Sequence, residues 1–102
     1  MWARGALAVV ALQDAHLAHQ AGLAERGLVL AAGPLDGQDD ERLRGISIMA
    51  CDRETARRLS NEDPAVQAGR LGVEVMTWMV PAGNARFEDV LAPRSTAEAA
   101  ED

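Results

Sequence analysis

The run Ala6-Leu7-Ala8-Val9-Val10-Ala11-Leu12 decides how the rest of the chain is read. It is wholly apolar, holds the β-branched pair Val9-Val10, and is short for a helix, so it predicts a buried strand. With Arg4 ahead of it the run faintly resembles a secretory signal, but it leads into Gln13-Asp14 and a helical pattern with no small-x-small cleavage site. It is also too short to cross a membrane as a helix.

Working outward, Asp14 is placed to cap a helix over Ala15 to Arg26, in which Leu17, Ala21 and Ala24 recur at helical spacing. Gly27 stands where a left-handed C-terminal cap belongs. Leu28 to Ala32 is a second short apolar strand ended by Gly33-Pro34, and the charged stretch Asp36 to Arg44 is a solvated connection. Gly45 to Cys51 predicts a third strand. Asp52 then caps a helix over Arg53 to Asn61 with Ala56 and Leu59 facing inward. Asp63-Pro64 opens a further helical turn that Gly69 stops. Leu71 to Val80 reads as a long strand, with Leu71, Val73, Val75, Thr77 and Met79 on one face and Gly72, Glu74, Met76, Trp78 and Val80 on the other.

The predicted order is β-α-β-β-α-β. Right-handed crossovers put both helices on one face of an antiparallel sheet, which makes an α+β, ferredoxin-like sandwich. Its second sheet face is left open, and an open apolar face on so small a domain predicts a homodimer. Residues 1–84 are expected to form this domain. Residues 85–102 follow as a C-terminal extension, with Phe87, Val90 and Leu91 in an amphipathic turn and a mobile acidic tail after Pro93.

Composition narrows the function. Acidic residues outnumber basic ones 16 to 10, for a net charge of -6, which argues against nucleic acid as a partner. Every basic residue is arginine, so neither a Schiff-base lysine nor a P-loop lysine is available. Cys51 is the single cysteine; no internal disulfide can form, and a reducing, cytoplasmic setting is expected.

Several segments together resemble the YCII-related family. They are Ala15-His16-Leu17-Ala18-His19, the run from Gly27 through Gly33-Pro34-Leu35, Glu54-Thr55-Ala56-Arg57, Asp63-Pro64, and finally Glu74 and Trp78. The resemblance spans about His16 to Trp78. It implies a His16–Asp63 pair in a cleft for a small-molecule ligand; Gly33-Pro34 reads first as a tight turn and second as backbone walling that cleft, and Glu74 and Trp78 line the cleft or the dimer contact, or Trp78 simply covers the sheet. The sequence departs from the family pattern at Ala65, where an aromatic residue often follows Asp-Pro, and at Met76-Thr77, in place of Arg-Pro before the tryptophan. The arginine that often precedes the first-helix histidine also has no match.

The chemistry of such a pair is simple. An imidazole takes and gives protons near neutral pH, and a carboxylate on one ring nitrogen fixes its tautomer. Asp63 also has an ordinary reading as a plain helix cap before Pro64. His16 and His19 share a helix face, but a metal site needs a third ligand, and neither Cys51 nor Glu74 stands at a ligating spacing; no metal is expected. His19 is expected at the surface and Cys51 as a small core residue. With no dinucleotide or phosphate-loop fingerprint, no cofactor is expected. Two functions compete: a cofactor-independent isomerase or lyase using His16 and Asp63, and a non-catalytic dimeric ligand-binding or accessory protein.

Overall fold

Gly27 ends the first helix as its position in the sequence requires. Its φ of +74° is the left-handed conformation that glycine adopts without a Cβ clash. The Leu28 N–H donates to the Leu23 carbonyl at 2.9 Å and the Gly27 N–H to the Ala24 carbonyl at 3.0 Å, the paired bonds of a Schellman turn. Leu28 packs against the buried cluster that contains Leu23, in keeping with the apolar contact that accompanies this turn. The chain is thereby swung from the helix into the sheet.

The computed structural model describes residues 2–88 and 92–99, and side chains from residue 11 onward. Its element order is α1 (Trp2–Glu25), β1 (Val29–Pro34), β2 (Gly45–Met49), α2 (Arg53–Asn61), α3 (Pro64–Gln67) and α4 (Thr96–Ala99). This is a mixed α+β chain. Ala6–Leu12 is not a strand; it lies inside α1. Alanine and leucine are the best helix formers, and a helix satisfies every backbone group of the run without a partner strand. Two valines do not outweigh the alanines around them. Asp14 consequently sits inside a helix instead of capping one.

β1 and β2 pair antiparallel, with Val29 opposite Met49, Ala31 opposite Ile48, Ala32 opposite Ser47, Gly33 opposite Ile46 and Pro34 opposite Gly45. The step from Val29 to Ala31 against Met49 to Ile48 leaves Leu30 as an extra residue, a bulge in β1. A Cβ on Gly45 would stand 2.9 Å from the Gly33 carbonyl oxygen, so only glycine lets the two strands close there. The connection Asp36 to Arg44 is solvated as expected, with an exposed Arg42–Asp40 ion pair. Among the described residues the sheet has these two strands, and Leu71 to Val80 joins no ladder. The six-element order expected from the sequence is therefore only partly present in the single chain.

α2 follows the sequence reading residue for residue. The Asp52 carboxylate accepts from the Thr55 N–H at 3.0 Å, and the Thr55 hydroxyl together with that N–H holds its carboxyl below the ordinary value. Ala56 and Leu59, three apart, turn inward. Among the described residues the core cluster is Leu23, Val29 and Leu59, with Ala24, Leu28 and Met49 packed on them. Its centre is the contact between α1, the start of β1 and the last turn of α2.

The C-terminal extension returns to α1. The Thr96 N–H and Oγ1–H donate to Asp14 Oδ1 at 2.8 and 2.9 Å, and Arg94 pairs with Glu25. Asp14 and Glu25 are about three turns apart on one helix face, so the segment lies along that face. The two Thr96 bonds hold the Asp14 carboxyl below its usual range. The turn expected around Val90 and Leu91 lies mostly outside the described residues.

Candidate functional site

Two short-range choices in the sequence set up the site. Asp63 precedes Pro64, whose fixed φ and missing N–H suit the first helical position, so α3 starts there and Asp63 becomes its cap. Asp63 Oδ1 accepts from the Ala65 N–H at 2.9 Å. The second carboxylate oxygen is thereby left pointing off the cap toward α1. His16 lies on the face of α1 that packs against α3.

The two meet: His16 Nδ1 is 2.6 Å from Asp63 Oδ2. Asp63 is buried at 5 % exposure, and the His16 side chain keeps 15 %. A carboxylate carries no proton to give, so in this bond the ring donates and Nδ1 bears the hydrogen. In the neutral ring that leaves the lone pair on Nε2. Among the described residues Nε2 has no hydrogen-bond partner, and no buried side-chain nitrogen or oxygen goes unpaired. Among the described residues Nε2 is thus unpaired and not fully buried, on a side chain that keeps some exposure.

His19 is not a free surface group. One turn along from His16 and half-buried, it places Nε2 2.9 Å from the Leu59 carbonyl oxygen and donates to it. Gln20, four residues from His16, reaches Ser47 Oγ at 3.4 Å, tying the same helix to β2 opposite Ala32. Sequence reasoning missed Gln20 and Ser47. The signal available was spacing, since positions four apart share a helix face.

None of the other expected site residues makes a hydrogen bond or ion pair to His16 or Asp63 among the described residues. Gly33 and Pro34 end β1 and are exposed. Glu74 and Trp78 lie exposed along Leu71 to Val80, Trp78 at 61 %. No hydrogen bond or ion pair among the described residues connects Glu74 to His16 or Asp63. Cys51 is a half-buried free thiol between β2 and α2. Among the described residues no three histidine, cysteine or acidic side chains are grouped to hold a metal ion. No helix among them is long and apolar enough to cross a membrane.

Fold and site together define a small α+β domain in which a helix-capping carboxylate holds an imidazole with one nitrogen open. The model of the YCII-related domain matches residues 5–79, and the chain belongs to that family. No curated protein and no solved structure matches it.

Proposed function

We propose that the chain is a small cofactor-independent acid–base enzyme, of isomerase or lyase type, acting on a small enolisable organic molecule. The observation that carries this reading is the 2.6 Å contact between His16 and the buried Asp63, with His16 Nε2 open. Nε2 takes a proton from a carbon next to a carbonyl, and the C–H electron pair moves into the enolate. Asp63 stabilises the imidazolium and keeps the ring from turning. The imidazolium, whose Nε2 proton can exchange with solvent in the meantime, then returns a proton to the first or a second carbon, the latter giving an isomer, or to a departing group, giving elimination. Atoms and electrons balance without a cofactor.

Gly33, Pro34, Glu74 and Trp78 line the substrate cleft in this reading, and the working unit is a cytoplasmic homodimer with a ferredoxin-like sheet. A two-stranded sheet is marginal by itself. Among the described residues both outer edges of the β1–β2 pair are free, and Leu71 to Val80, which the sequence reading divides between two strand faces, exposes Met76 and Met79 at 71 and 88 %. Family membership supports the same architecture. Light scattering should give about twice the 10.8 kDa chain mass. A monomer at every concentration would remove this part of the proposal.

The catalytic part is tested by proton exchange. Enolisable ketones and lactones are incubated with the protein in D2O, and deuterium entering the carbon next to the carbonyl is followed by NMR. The expected result is exchange that His16→Ala abolishes while its circular dichroism stays native. Exchange that persists at the wild-type rate in His16→Ala would exclude His16 as the base. A non-catalytic binding protein is the result if a ligand binds and no substrate exchanges.

A further inference from the structure

We propose that His19 is a positioning residue for the His16–Asp63 pair, an inference that rests on the reading just given. The structure puts two histidines of one helix face on two points of a single corner. His16 holds the Asp63 carboxylate, and His19 holds the Leu59 carbonyl four residues earlier. That carbonyl also accepts the Glu62 N–H at 3.3 Å, and the Asp63 N–H donates to the Ser60 carbonyl at 3.1 Å. The Leu59 carbonyl is thus where the turn delivering Asp63 begins. His19 grips the turn at its root and His16 at its tip.

Gln20 ties α1 to β2 and Asp14 ties it to Thr96, but at the α2–α3 corner the His16 contact alone would leave α1 free to roll over Asp63. A side-chain tip stands about 6 Å from a helix axis, so a roll of about 20° moves it by about 2 Å, enough to break a 2.6 Å bond. The apolar contact of Leu23 with Leu59 resists rolling poorly, because hydrophobic burial has no direction. A second hydrogen bond three residues away, aimed at the same corner, fixes the angle. His19 does not touch the reacting atoms. It sets where His16 stands.

The test compares His19→Gln, which keeps a donor at the reach of Nε2, with His19→Phe, which keeps the ring volume and loses the donor. The readout is the tautomer of the His16 ring and its Nδ1 proton, seen in long-range 1H–15N spectra and assigned against His16→Ala. Wild-type protein and His19→Gln should show an Nδ1–H tautomer with a far-downfield proton. In His19→Phe that proton should be lost to exchange and the tautomers should mix, while circular dichroism stays native. If the His16 signals persist in His19→Phe and only its melting temperature falls, His19 merely stabilises the fold and the proposal is overturned. Should His19→Phe fail to fold, His19→Asn, too short to reach Leu59, takes its place: mixed His16 tautomers support the proposal and unchanged ones overturn it. A wild-type spectrum with no Nδ1–H tautomer, unchanged by Asp63→Asn, would defeat the His16–Asp63 reading itself, a failure distinct from that of His19 alone.

Discussion

Asp63→Asn is expected to leave the fold standing and the site inert. The asparagine Oδ1 can still accept from the Ala65 N–H, so the cap of α3 survives. Its amide nitrogen then replaces the oxygen that faces His16, and an amide offers hydrogens where the carboxylate accepted one. The ring responds by moving its proton from Nδ1 to Nε2. The nitrogen that should collect a proton now carries one. For a pair acting as base and orienter, such a reversal costs on the order of 10²–10⁴ in rate. The change in stability should be about 1 kcal/mol, the worth of one hydrogen bond. Deuterium exchange and thermal melting, run on the same sample, separate the two effects. A variant that exchanges substrate as fast as wild type would show that the carboxylate serves only as a cap.

Leu59→Ala is expected to be the most damaging substitution to stability. Leu59 is 2 % exposed and packs in a small buried cluster with Leu23 and Val29. Emptying such a position costs about 2–5 kcal/mol through lost burial and the cavity left behind. Domains near this size have only about 5–15 kcal/mol to lose. At about 4–8 °C per kcal/mol, the melting temperature should fall by about 10 °C or more. Circular dichroism on heating measures it. A shift of only a degree or two would mean that the packing of α1 against α2 is not what holds the domain together.

How far the sequence can be read depends on whether a signal is local. Asp52, Asp63-Pro64 and Gly27 act through bonds to residues two to five positions away, and all three behave as their chemistry dictates. α2 matches its expected bounds because a cap and two inward residues define it completely. Ala6–Leu12 is ambiguous for the opposite reason. An apolar run without periodicity suits either a buried strand or a helix, and the choice rests on what lies beside it. The same holds for Leu71 to Val80, whose alternation marks a strand but whose pairing depends on a partner outside its own segment. The approach of His16 to Asp63 spans 47 positions and is not visible in spacing. It is expected only from likeness to the YCII-related family. The bond of His19 escapes a sequence reading because its acceptor is a backbone carbonyl, which no side-chain pattern reveals.

The two oxygens of Asp63 serve different masters, one keeping the α3 turn and the other the imidazole. Mutational drift at this position therefore cannot trade one duty against the other. Were the proposed reaction lost from a lineage, the α3 cap would still favour an acceptor there, so the acid or its amide would persist without it. In a protein engineered for new chemistry, a replacement base recruited elsewhere on α1 would find this anchor already built.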